Sequence, residues 1–202
     1  MELHEAILRR AMVRSFSDEP LDEAIVTRIL SDALRSPTAG NTGGTAWVVL
    51  EGPEQTSVYF EATTDEAWRR RSPRWEGLRR APVVLLSYTN ADLYVARYRE
   101  PDKAESGLDR GAATWPVPYW VGDAAFGVMA VLLGAADAGL GACLLGAFRG
   151  EAELADRLRV PEAWSLFAAV ALGRPDGHDH RSRSLDRQRP TTSERIHRGL
   201  WR

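Results

Sequence analysis

Apolar positions along this chain fall into short blocks whose period switches between that of a helix and that of a strand. Leu3, Ile7 and Leu8 recur at helical spacing and predict a first helix over residues 3–13, closing near Arg10 and Arg14 and broken by Asp18-Glu19-Pro20. Leu21, Ile25, Ile29, Leu30, Ala33 and Leu34 share one face of a second amphipathic helix, which Pro37 stops. Residues 47–50, 82–88 and 164–172 are apolar throughout at strand length, so they read as buried strands, the second of them central in a sheet. Residues 53–80 are helical but irregular, and Arg69-Arg70-Arg71 within them reads as a solvated face. Residues 121–139 form an apolar helix rich in glycine and alanine, ended by Gly139 and Gly141 and suited to the core or to a dimer interface. A strand and turn over 140–148 and an amphipathic helix over 151–160, stopped by Pro161, complete the pattern.

Three stretches escape this periodicity. Residues 37–45, Pro-Thr-Ala-Gly-Asn-Thr-Gly-Gly-Thr, form a loop that is either a self-bonded turn or a lining for a polar ligand held close to the main chain. Residues 89–120 gather Tyr94, Tyr98, Trp115, Tyr119 and Trp120 among charges; long irregular segments of this kind are lids or binding loops, and ordinary packing is the alternative. Residues 176–202 are polar and arginine-rich but carry Ile196, Leu200 and Trp201, which gives the tail something to bury. With no internal repeat and no domain-sized linker, residues 1–202 read as a single domain of class α+β.

Composition narrows the function more by exclusion than by suggestion. A formal net charge of −2 over 202 residues argues against a dedicated nucleic-acid binder. Cys143 is the only cysteine, so no intrachain disulfide forms. The N-terminus lacks a signal pattern, and the longest apolar run, residues 121–136, is shorter than the roughly 20 residues a bilayer requires. A cytoplasmic protein without a membrane anchor is the expectation.

Arg10 and Arg14 stand four residues apart, so on a helix both guanidiniums would project from one face and could grip a phosphate, although a solvated basic helix end has the same spacing. No Gly-x-Gly-x-x-Gly or phosphate loop is present, His178 and His180 have no further clustered metal ligand, and no nucleophile–base set assembles. An enzyme built this way would rely on a cofactor for its chemistry.

Four places, in order, resemble the FMN-dependent nitroreductase family. They are residues 10–16, Arg-Ala-Met-Val-Arg-Ser-Phe; the Ala33, Pro37-Thr38-Ala39-Gly40-Asn41 and Trp47 series; Asp123 through Gly139-Leu140-Gly141 to Gly146-Ala147-Phe148; and Arg187-Gln188-Arg189-Pro190 followed by Ile196-His197. Ala11 stands where the family has a second arginine and Met12 where it has serine.

The resemblance implies a nitroreductase-like fold, a central mixed but mostly antiparallel sheet flanked by helices, in an intertwined homodimer with FMN at the interface. It implies that Arg10, with Arg187 or Arg189, meets the phosphate, that Ala11 and Met12 are among the cofactor-binding residues, and that Arg14 lies beside the pyrimidine end of the ring. Pro37, Thr38, Ala39 and Asn41 would come from the partner subunit. Leu145, Gly146 and Ala147 would border the flavin, the last two offering backbone N–H groups, and residues 176–202 would pack on the partner. The implied activity passes hydride from NAD(P)H through the flavin to electron-poor small molecules such as nitroaromatics or quinones. A flavin oxidase or dehydrogenase acting on a metabolite or peptide, and a non-catalytic flavin-binding protein, are the rival readings.

Overall fold

The computed structural model describes residues 1–180 and 182–201, without the side chains of Ala104 and Arg183; Arg181 and Arg202, part of the arginine-rich tail, lie outside the described residues. Its elements are α1 (Leu3–Arg9), α2 (Glu23–Ala33), β1 (Thr45–Glu51), α3 (Gly52–Thr63), α4 (Glu66–Arg71), α5 (Trp75–Leu78), β2 (Val83–Thr89), α6 (Ala91–Arg97), α7 (Tyr119–Asp137), β3 (Gly141–Leu145), α8 (Glu151–Leu158) and β4 (Ser165–Gly173).

The four strands form one sheet in the order β1-β2-β4-β3, every neighbouring pair antiparallel. All seven positions of β2 are buried, as its unbroken apolar run requires of a strand covered on both faces. Alternation along the strands divides the core in two. Val84, Leu86, Cys143, Ala169 and Ala171 face Tyr59, Phe60 and Leu154 of α3 and α8. Val83, Leu85, Ala142, Val170 and Leu172 face Val26 and Ile29 of α2 and Val128, Val131 and Leu132 of α7. The fold is therefore a sheet between two helical layers, mixed only through an isolated parallel bridge from Met12 to Ala142.

One expectation changes at the N-terminus. The first helix ends at Arg9, not residue 13, because Met12 and Val13 leave it to pair with β3: the Val13 N–H donates to the Ala142 carbonyl at 2.9 Å. Gly141 permits this approach, since a Cβ there would stand 2.8 Å from that of Val13. The apolar stripe of α1 also points outward, Leu8 being 71% exposed. Beside α1, α7 buries one face and exposes Val121, Phe126 and Met129 on the other. At 19 residues and a mean hydropathy of 1.5, α7 has the length and composition to cross a bilayer, yet its buried face packs on α2 and the sheet.

Candidate active site

The edge strand β3 organises the candidate site. Residues 12–16 run past it in extended conformation, and the stretch after β4 is bonded onto them. Phe16, fully buried, bridges Pro175. The Ser15 hydroxyl donates to Asp176 at 2.9 Å, the other Asp176 oxygen accepts the His178 N–H at 2.8 Å, and Asp179 accepts the Arg14 N–H at 2.9 Å. Arg80 completes the knot with an ion pair to Asp176. Burial alone would raise the Asp176 carboxyl; the bonds from His178 and Ser15 and the Arg80 charge outweigh it and hold the group below its ordinary range.

This arrangement leaves a cavity of about 870 Å³ beside β3. Arg14, Arg71 and Arg74 stand in its wall with His180, the hydroxyl residues Ser72, Ser182 and Ser184, and apolar Trp68, Leu78, Leu144 and Leu145. None of its lining residues is a carboxylate. Among the described residues none of these three guanidiniums is in an ion pair, although Asp179 and Glu76 stand in the wall of the adjoining cavity that Arg14 and Arg74 also line, so the space is a candidate anion site. The Arg14 guanidinium is steadied by a bond to the Met12 carbonyl at 3.0 Å. Cys143 borders the same space as a buried thiol; burial pushes it up to about 11, with Arg14 pulling weakly the other way.

A second cavity of about 360 Å³ shares Trp68, Leu78, Leu144 and Leu145 with the first. Its remaining wall combines the aromatics Tyr59, Phe60 and Phe148 with Thr63, Thr64, Gly146 and Arg149, the last paired with Asp65. The hydroxyls of Thr63 and Thr64 are spent on the carbonyls of Tyr59 and Phe60. Together the two cavities give a cleft with three guanidiniums at one end and a larger share of aromatic and aliphatic wall at the other.

Of the residues singled out in the sequence, Arg14, Leu145 and Gly146 line this cleft, and Met12 lies under it, its sulfur 3.4 Å from the Leu144 nitrogen. Arg10, half-buried, caps α1 outside the cavity walls; Ala11 beside it is exposed, and Ala147 follows Gly146 in the loop after β3. Arg10 and Arg14 do not share a helix, because the chain is extended between them. Pro37, Thr38, Ala39 and Asn41 border neither cavity: their loop is bonded to Asp123 of α7 and to Arg97 of α6. Arg187 and Arg189 are exposed on the tail and likewise border neither.

In the sequence Arg71 reads as part of a solvated face, His180 is weighed only as a metal ligand, and Arg74, Ser182 and Ser184 have no role, yet all five line the cavity. Within the 69–71 run, Arg70 pairs with Glu66 at 3.0 Å and Arg69 lies over the Trp75 ring, so the solvated-face reading holds for only part of it. The signal available was Arg71-Ser72-Pro73-Arg74, a helix-ending proline flanked by two guanidiniums.

The sequence profile of the nitroreductase family spans residues 7–174. The chain belongs to the nitroreductase family. It is 25% identical, over 99% of both chains, to an Archaeoglobus fulgidus protein that carries the provisional name NADH dehydrogenase/NAD(P)H nitroreductase. The fold is shared with a provisionally named nitroreductase from Desulfovibrio desulfuricans in complex with FMN, 20% identical, TM-score 0.70, covering 99% of this chain and 98% of that one. It is shared also with the nitroreductase CinD from Lactococcus lactis in complex with nicotinic acid, 19% identical, TM-score 0.71, covering 95% of this chain and 100% of that one. Oxidoreductase is the broad class that nitroreductase membership carries.

Proposed function

We propose that this nitroreductase-family protein is an FMN-dependent NAD(P)H oxidoreductase, acting as a homodimer on electron-poor acceptors such as nitroaromatics or quinones. The observation that carries the reading is the cavity walled by Arg14, Arg71 and Arg74, running at the end of β3 into a cleft with Tyr59, Phe60, Trp68 and Phe148 in its wall. A phosphate-bearing, planar cofactor suits both ends of that space: guanidiniums match phosphate and imide oxygens, and ring-lined walls accept a flat heterocycle. When bound, FMN would supply hydride acceptance and donation at its ring.

The chain's own part is to hold and bias. Arg14 is assigned to the pyrimidine edge, where a fixed positive charge favours negative charge on the ring. Gly146 and Ala147 would donate backbone N–H groups, and Arg10, with Arg187 or Arg189, would meet the phosphate. Arg71 and Arg74 join this set as further anion contacts. Residues 37–41 would reach the cofactor from the partner subunit, which accounts for their separation from Arg14 within one chain, and residues 176–202 would pack on the partner. The outward apolar faces of α1 and α7, with Leu8 at 71% and Phe126 at 53% exposure, favour such a dimer, because soluble monomers rarely leave large contiguous apolar surface in water.

The test is acceptor-dependent oxidation of NADH or NADPH by FMN-reconstituted protein, with a naphthoquinone and a nitrobenzoate, alongside light scattering for a species of twice 22.4 kDa. Oxidation of neither nicotinamide with either acceptor would remove the activity, and a monomer would remove the shared site.

A further inference from the structure

The loop over residues 37–44 is held in shape from outside by three groups. Asp123 on α7 is 4% exposed, and its Oδ2 accepts both the Ala39 N–H at 2.8 Å and the Tyr94 hydroxyl at 2.9 Å. Arg97, three residues beyond Tyr94 on α6, donates Nε to the Gly40 carbonyl at 2.8 Å while its two terminal nitrogens hold Asp102 at 2.7 and 2.8 Å. Tyr94 itself is fully buried, edge-on to Trp115 at 6.2 Å, and packs so closely on Gly44 that a Cβ there would run into its ring. Inside the loop, the Thr42 hydroxyl donates to Ala39 at 2.6 Å and the Gly43 N–H to Thr38 at 3.0 Å. Asn41, exposed, is kept at φ 54°, a left-handed conformation uncommon for a residue with a side chain.

A buried carboxylate is costly unless hydrogen-bonded, and one apolar side chain would fill the same core position without that cost. Among the described residues no cation pairs with Asp123; its partners are one backbone N–H and one phenol. Burial first, then the bond to Asp123, pushes the Tyr94 hydroxyl above its ordinary range, so it remains a donor throughout the working pH range. Trp115 and Trp120 pack edge-on or tilted against Tyr94, Tyr98 and Tyr119 pack edge-on against Trp115, and none of the four lines either cavity. What this assembly fixes is the shape of an exposed loop.

We infer that Asp123 is a positioning residue for the cofactor: with Tyr94 and Arg97 it sets residues 37–41 in the conformation that meets the flavin, making the aromatic segment a clamp on that loop. The inference rests on the reading above that residues 37–41 contact FMN. It assigns the carboxylate to acceptor geometry, since both donors converge on one oxygen, and not to charge.

The experiment compares Asp123→Ala with Asp123→Asn in the full-length protein, measuring FMN Kd by fluorescence titration well below both melting temperatures, then KM and kcat with one naphthoquinone. Asparagine keeps an oxygen for both donors, so Asp123→Asn is expected to hold the FMN Kd within about threefold of the parent, whereas Asp123→Ala raises it by about tenfold. A purely structural residue would lower both melting temperatures and leave the Kd of folded protein unmoved, and that result overturns the inference. Should Asp123→Ala not fold, Tyr94→Phe and Arg97→Gln replace it: a Kd raised about threefold or more in either supports the clamp, and no change in both rejects it. Parent protein that takes up no FMN overturns the underlying reading first, and is told apart by failing before any variant is made.

Discussion

Replacing Arg74 by glutamine separates a ligand-binding role from a structural one. Among the described residues the Arg74 guanidinium has no hydrogen-bond or ion-pair partner; its backbone alone is engaged, the N–H with the Ser72 hydroxyl at 3.3 Å and the carbonyl with the Leu78 N–H at 2.9 Å. It faces the cavity with Arg14 and Arg71, so removing it relieves like-charge repulsion and breaks no bond of the empty protein. Unfolding free energy should therefore stay within about 0.5 kcal/mol of the parent. Affinity should not. A hydrogen bond to a charged group contributes about 1.5–3 kcal/mol, and Arg74 is half-exposed, so screening favours the lower end. At about 1.4 kcal/mol per decade, the FMN Kd should rise by about tenfold. Fluorescence titration at two ionic strengths gives the assay, and the variant should show the shallower salt dependence. An unchanged Kd, or a stability loss above about 1 kcal/mol, would refute the assignment of Arg74 to the ligand.

Three further outcomes follow from the packing and the charges. Leu154→Ala empties a fully buried position between α8 and the sheet and should cost about 2–5 kcal/mol in urea unfolding; under about 1 kcal/mol would mean that α8 docks elsewhere. With its thiol held near 11, Cys143 should have only ~0.1% thiolate at about pH 8 and resist iodoacetamide until the protein unfolds, so rapid labelling of native protein would contradict the burial. The Asp176 carboxyl titrates below its unfolded value, so the stability it lends is complete above about pH 4 and lost as the pH falls through the lowered value. Urea unfolding followed as the pH is lowered should accordingly lose stability below about pH 4 in the parent and less so in Asp176→Asn, while an identical pH profile in the two would show that Asp176 contributes none of it.

The strands and the buried helices were readable because burial imposes a period or abolishes one. The β2 and β4 segments read as unbroken apolar runs since both their faces are covered, and α2 announced itself through Ile29 and Ala33 on one stripe. The first helix was drawn too long because Met12 and Val13 continue its apolar spacing, although what they satisfy is the open edge of β3. Its stripe of Leu3, Ile7 and Leu8 was correctly seen as apolar, but periodicity does not say whether the surface it covers belongs to the same chain. Arg14, Leu145 and Gly146, picked out through the family resemblance, line the cavities beside β3. Arg71 reads as one of three equivalent arginines unless Pro73 and Arg74 just beyond it are weighed, and the path of the 72–74 turn is what carries it to the cavity. His180 and Ser182 arrive from more than 160 positions away along the chain from Arg14, held by the Asp176 and Asp179 bonds, and no spacing rule reaches that far.

The central claim, that the arginine-lined cleft beside β3 carries a flavin, is tested most directly by titrating the purified protein with FMN and following its visible absorption before and after anaerobic NADPH. The account predicts uptake of one equivalent per chain, a shifted flavin spectrum, and its bleaching by the nicotinamide, with uptake reduced in Arg14→Gln. Protein that stays colourless after dialysis against FMN, or that binds it equally well without Arg14, would contradict it.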